Sequence, residues 1–202
     1  RDPEMSRGLG DVYKRQIRGE FLKALKGASP RILLKAPTGS GKSTGIPPMM
    51  DDAGLGGNGL IVVVQPRRMA ARLLARHVAR LRGVELGREV GYMVRFERHI
   101  SSRTRIAYVT DGVLERWLTD RPGLEGVSAV VFDEFHERSL SGDLSLGRVL
   151  DLQEGPRPDL AVVVMSATLE MSGLREYMGE SCRELEAVSY THLRAHETSQ
   201  DL

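Results

Sequence analysis

Residues 32–44 read Ile-Leu-Leu-Lys-Ala-Pro-Thr-Gly-Ser-Gly-Lys-Ser-Thr. A short apolar run passes directly into a glycine-rich turn that closes on Lys-Ser-Thr. A run of this length and composition suits a buried parallel strand. The turn has the form of a phosphate-binding loop, with Ala36 where the commoner pattern carries its first glycine. Gly39 and Gly41 admit backbone conformations that turn amide N–H groups inward. A helix starting near Lys42 aims its positive dipole end at the same point. Lys42 would supply a mobile charge for the β- and γ-phosphates of a nucleotide, and Ser43 a hydroxyl for Mg²⁺. Thr38, Gly39, Ser40, Gly41, Lys42, Ser43 and Thr44 are therefore the candidate nucleotide-binding residues. Pro47 and Pro48 are expected to end or kink the helix early.

Outward from this stretch, four more apolar runs follow: Leu60–Gln65, Arg105–Thr110, Ala129–Asp133 and Ala161–Ser166. Helix-like segments separate them. Met69–Leu81 places Leu74, Val78 and Leu81 on one helical face, and Asp111–Leu118 and Ser141–Leu152 are shorter candidates. Strand and helix in alternation predict an α/β fold with a mainly parallel sheet and helices on both faces. Ligands of such sheets bind at the carboxyl ends of the strands. Asp51–Gly59 (DDAGLGGNG) reads as a flexible loop. Trp117, Leu118, Met49 and Met50 read as packing residues.

Composition sets outer limits. The 202 residues carry 29 Lys and Arg against 27 Asp and Glu, a net charge of +2 that fits neither a histone-like tail nor an acidic disordered region. One cysteine, Cys182, excludes an internal disulfide framework and a four-cysteine metal cluster. No run approaches the ~18 apolar residues of a membrane span, and no leader pattern opens the chain, so the expected setting is the cytoplasm without a membrane partner. Residues 1–16 and 189–202 contain GLGDVYKRQ and SYTHLRAHET, strings that resemble translated sequencing-adapter read-through. They are expected to be non-native and to play no part in the fold.

Val130–His136 (VVFDEFH) is an apolar strand tipped by two carboxylates, with Asp133 standing 91 residues after Lys42. Asp133 would hold Mg²⁺, and Glu134 would orient and polarise an attacking water. His136 could join this site to a later loop by hydrogen bonding. A zinc role for it is not expected, because no second His or Cys stands at metal spacing. Lys42, Asp133, Glu134 and His136 form the candidate catalytic set.

Asp133–Leu140 (DEFHERSL) resembles motif II of the DEAH-box helicases, with Phe135 as in the bacterial HrpB type. Gln65–Arg72 (QPRRMAAR) resembles motif Ia of that family, Val90–Glu97 (VGYMVRFE) its G-Y-x-V-R-F block, Thr110–Arg116 (TDGVLER) motif Ib and Ser166–Thr168 (SAT) motif III. The resemblance covers about Ile17–Val188. It implies a RecA-like domain, ATP with Mg²⁺ as fuel and RNA as track. It also implies that Ser166 and Thr168 couple the nucleotide site to the RNA site. Family members carry a second RecA-like domain with a Q-x-x-G-R-x-G-R element, which does not occur in this sequence. Residues 17–188 are thus expected to be the first of two such domains, slow in hydrolysis and unable to unwind a duplex alone.

For RNA, Pro66, Arg67 and Arg68 fit backbone contacts at a strand end, and Thr110, Asp111 and Gly112 fit a phosphate at a helix start. Arg68, Arg72, Arg76 and Arg80 share one helical side, which suits phosphate contact or a solvated face equally. Arg95 and Arg98 are weaker candidates. Aromatic residues make up 5% of the chain, which argues against a base-stacking platform and for contacts of little sequence preference. Two other readings stay open: a kinase-like phosphate-loop enzyme and a non-catalytic RNA-binding module.

Overall fold

The computed structural model describes residues 17–167 and 172–187. Both adapter-like segments and Thr168 lie outside the described residues. The strands are β1 Arg31–Lys35, β2 Leu60–Gln65, β3 Val90–Val94, β4 Glu97–His99, β5 Ile106–Thr110, β6 Val127–Phe132, β7 Ala161–Ser166 and β8 Arg183–Glu186. They form one sheet in the order β4-β3-β5-β2-β6-β7-β1-β8. All pairings are parallel except the β3–β4 hairpin.

The five central strands read as near-continuous apolar runs because both faces of each are covered. Val163 and Val131 point to one side, Val162 and Val130 to the other, and all four are fully buried. Each such side chain contributes about 1.5–3 kcal/mol. On the first side lie α1 (residues 17–25), α2 Lys42–Asp52 and α4 Arg68–Leu81. On the second lie α5 Asp111–Asp120, α6 Leu140–Glu154 and α7 Ser172–Met178. Trp117 and Leu118 pack in the second core, and Met50 in the first. Strands β3, β4 and β8 have no counterpart among the apolar runs of the sequence. Of these, β4 (ERH) and β8 (RELE) lie at the sheet edges, face solvent and need little apolar character, whereas β3 is paired on both sides and largely buried.

Three expectations are corrected. The first concerns α2, which continues through Pro47 and Pro48 to Asp52. Proline fits helical φ, and its penalty is the missing amide. The carbonyl that Pro47 leaves without its helical donor is that of Ser43, and the buried Tyr108 hydroxyl donates to it at 2.8 Å. Second, Asp51–Gly59 is built rather than loose. It contains the end of α2 and the single turn α3, Leu55–Asn58. Buried Asp51 pairs with Arg82 at 2.7 Å and with Arg105 at 3.5 Å. Gly56 lies so close that a Cβ there would stand 2.0 Å from Asp51 Oδ1. Third, the buried face of α4 is Ala71, Ala75, Val78 and Ala79, with Leu74 packed beside it, whereas Leu81 is 64% exposed. Small residues carry this face because α4 lies close against β3 and β5.

Candidate active site

The carboxyl ends of β5, β2, β6, β7 and β1 lie side by side and carry Thr110, Gln65, Asp133, Ser166 and Ala36 in that order. The phosphate loop starts where β1 stops, and the Ala36 amide donates to the Ser166 carbonyl at 2.9 Å. Gly39 and Gly41 have φ of +78° and +82°. Among the described residues no atom lies within 4 Å of a Cβ built on Gly39, so the need there is the left-handed backbone and not space. Gly41 ends the loop as the N-cap of α2, which turns the helix start toward the acidic tip of β6. Lys42 is 2% exposed, and its Nζ stands 2.8 Å from Glu134 Oε1.

Asp133 is buried at the end of β6, its amide bonded to the Val64 carbonyl. Its Oδ1 accepts the Glu134 amide at 2.9 Å, and its Oδ2 accepts Gln65 Nε2 at 2.6 Å. The Ser43 hydroxyl stands beside the same carboxylate and favours its charged form. Burial pushes the Asp133 carboxyl above the usual aspartate range; the Ser43 hydroxyl and the Gln65 bond pull it down, Glu134 pushes it up and Lys42 pulls it down. A cation beside Ser43 and Asp133 would offset that desolvation. Two adjacent oxygen donors suit Mg²⁺, which takes few protein ligands and keeps several waters.

Glu134 adopts φ 49° and ψ 37°, a left-handed conformation that costs a residue with a side chain roughly 1–2 kcal/mol. That turn carries its carboxylate back over Lys42. His136 Nδ1 lies 3.4 Å from Glu134 Oε2 and accepts the Ala167 amide at 3.4 Å. The Ser-Ala-Thr segment therefore touches both the phosphate loop, through the Ser166 carbonyl, and the acidic tip, through Ala167.

A second concavity, about 750 Å³, opens beside the ends of β2 and β5. Pro66, Arg68, Thr110, Asp111 and Gly112 line it together with Arg95, Arg98 and Arg116. Five residues singled out in two sequence segments thus share one groove. Arg67 does not line it and instead pairs with Glu137 at 3.0 Å. Arg72 is drawn aside to Glu97, so the four-arginine stripe does not act as a unit, and Arg76 and Arg80 remain exposed. Asp111 receives the Ser139 hydroxyl at 2.8 Å, and burial raises its carboxyl.

Three residues of these two sites carry no assignment from the sequence. Gln65 orients Asp133; a polar residue closing an apolar strand beside the acidic one was its signal. Tyr108 holds the Ser43 carbonyl from inside β5, and nothing local in the sequence marks it. Phe96, at the tip of the β3–β4 hairpin with φ 69°, is 89% exposed in the groove, with the Arg95 guanidinium 4.8 Å above its ring. A chain poor in aromatics nevertheless places one at this edge. An exposed Phe held at positive φ is uncommon, and only the tertiary structure reveals it.

The arrangement agrees with what known proteins show. A DEAD/DEAH box helicase family model matches residues 15–177. The ATP-dependent RNA helicase HrpB of Escherichia coli is 46% identical over 163 residues, which cover 80% of this chain and 20% of that protein. The ATP-dependent RNA helicase HrpA of Borreliella burgdorferi is 37% identical over 180 residues, 89% of this chain and 21% of that protein. The crystal structure of the E. coli DExH-box NTPase HrpB superimposes with a TM-score of 0.81 at 40% identity, covering 89% of this chain and 21% of that one. The chain thus spans about a fifth of the length of these relatives.

Proposed function

Since the chain belongs to the DEAD/DEAH box helicase family and has its RecA-like fold, we propose that it binds and hydrolyses ATP between the phosphate loop and the acidic tip of β6. RNA would lie along the neighbouring groove. The observation that carries this reading is convergence: Lys42 and Glu134, 92 residues apart in the chain, meet at 2.8 Å, with Ser43 and Asp133 beside them. The amides of Thr38–Thr44 and the Lys42 ammonium would hold the β- and γ-phosphates. Ser43 and Asp133 would hold Mg²⁺. When bound, Mg²⁺ supplies charge neutralisation on the transferred phosphoryl group. Glu134 would orient a water and accept its proton, and Gln65 keeps the Asp133 carboxylate turned toward Ser43.

The groove supports RNA binding through its chemistry. Arg68, Arg95, Arg98 and Arg116 offer phosphate contacts without sequence preference. Phe96 adds one surface on which a base can stack. The segment from Ser166 onward, bonded to Ala36 and facing His136, would pass changes between the sites, with Thr168 as the further member of that segment. Movement on RNA is proposed for a protein that joins this domain to a second RecA-like domain. An arginine from such a domain is worth about 10³–10⁵ in rate in related chemistry, so hydrolysis by this chain alone is expected to be slow.

The test is Glu134→Gln, read by single-turnover hydrolysis and by equilibrium nucleotide binding. Hydrolysis should fall by about 10² or more while nucleotide remains bound. Unchanged hydrolysis would remove Glu134 from the reaction and with it this account of the site.

A further inference from the structure

The phosphate-loop helix contains a proline where its first turn needs an amide. In a regular helix the amide of residue 47 would donate to the carbonyl of residue 43, but Pro47 has none. Ser43 is the residue whose hydroxyl stands beside Asp133, so the missing bond falls at the candidate metal ligand. The Tyr108 hydroxyl reaches that carbonyl from the middle of β5 at 2.8 Å. Tyr108 is fully buried in the core beneath α2, and Pro47 is buried as well. Burial and the nearby Asp133 carboxylate keep the phenol protonated, which makes it a donor at any working pH. A partly buried carbonyl without a donor bears some cost of lost hydration, and here it would relieve that cost by shifting the helix start.

We propose that Tyr108 is a positioning residue of the nucleotide site: its hydroxyl replaces the amide that Pro47 lacks and thereby fixes Ser43 for the metal-bound phosphates. This rests on the nucleotide-binding reading given above. Pro47 removes the amide that would hold this carbonyl and leaves the bond to a side chain on another strand. The first turn of α2 is thus tied to β5, the strand that ends in Thr110 at the groove.

The decisive feature is that the two residues supply the same bond by different routes. Tyr108→Phe removes the donor. Pro47→Ala restores a backbone donor to the same oxygen. The binding of a fluorescent ATP analogue to the full chain, with Mg²⁺ and with chelator, measures both changes and their combination. Tyr108→Phe should weaken binding in Mg²⁺ roughly tenfold, the loss expected for one hydrogen bond, and binding in chelator by less than about twofold. In the Pro47→Ala background the cost of Tyr108→Phe should shrink to less than about twofold in Mg²⁺ as well. If Tyr108→Phe lowers the melting midpoint, Pro47→Ala should remove that decrement too. The proposal is overturned if Tyr108→Phe binds like wild type in Mg²⁺. It is also overturned if affinity is lost equally with and without Mg²⁺, as a general loosening of the core would cause, or if Pro47→Ala leaves the loss in place. Wild-type protein that gains no affinity from Mg²⁺ would instead remove the nucleotide reading itself.

Discussion

Replacing Gln65 by Leu tests how the acidic site is tuned. Gln65 Nε2 donates to Asp133 Oδ2 at 2.6 Å inside the sheet, and this bond is one of the interactions that hold the Asp133 carboxyl down against the larger effect of burial. A hydrogen bond to a charged group is worth about 1.5–3 kcal/mol, and about 1.4 kcal/mol corresponds to one pH unit. Leucine of similar volume removes the donor and leaves burial in place. Asp133 must be ionised to hold Mg²⁺, so binding of Mg²⁺-nucleotide should fail on the acid side as the pH drops through its raised value. In Gln65→Leu that midpoint should move to higher pH, because the donor is lost while burial remains. Well below both midpoints the variant should therefore bind roughly ten times more weakly or worse, and well above both midpoints the two should converge. Titration of a fluorescent ATP analogue with Mg²⁺ across pH measures this directly. A midpoint that stays in place, or moves to lower pH, would refute the assignment of Gln65 as the partner that keeps Asp133 ionised.

Other outcomes follow from the same structure. Gly56→Ala would place a Cβ 2.0 Å from Asp51 Oδ1, so Asp51 must leave its position opposite Arg82; the expected loss is about 1–3 kcal/mol of stability, measured by denaturant unfolding. Phe96→Ala removes the exposed ring of the groove and should weaken single-stranded RNA by about 1–3 kcal/mol if a base stacks there, with no change in melting temperature, since the ring is 89% exposed. Burial raises the Asp51 carboxyl above the ordinary 3.8 despite Arg105 and Arg82. The folded protein therefore binds that proton more readily than the unfolded chain, and the associated stability, complete at low pH, drains away as the pH rises through the folded value. Asp51→Asn lacks this loss, so its cost relative to wild type should shrink from pH 4 toward neutrality; a cost that grows with pH would mean that the arginines outweigh burial.

The linear chain determined the middle of this protein more firmly than its edges. Central strands β1, β2, β5, β6 and β7 are covered on both faces, so each must be apolar throughout and each stands out as a run of Val, Ile and Leu. The phosphate loop was equally legible, because positive φ at Gly39 and Gly41 demands glycine and leaves a mark in the sequence. Edge strands β4 and β8 face solvent and leave no such mark. Leu81 departs from its expected place because helical periodicity gives a face and not the neighbour that covers it, and α4 meets the sheet through alanines.

Within the site, residue identity was readable and partnership was not. Lys42, Ser43, Asp133 and Glu134 could each be named from their motifs. The sequence did not disclose that Gln65 would orient Asp133, that Arg67 would turn to Glu137 away from the groove, or that Tyr108 would stand in for an amide removed by Pro47. Those pairings depend on which strand ends become neighbours, and the order β5-β2-β6-β7-β1 departs from chain order. Local propensity and motif spacing act within a few residues. The hydrogen bonds that tune the site join residues 65 and 68 positions apart, and only the packed sheet brings them within reach.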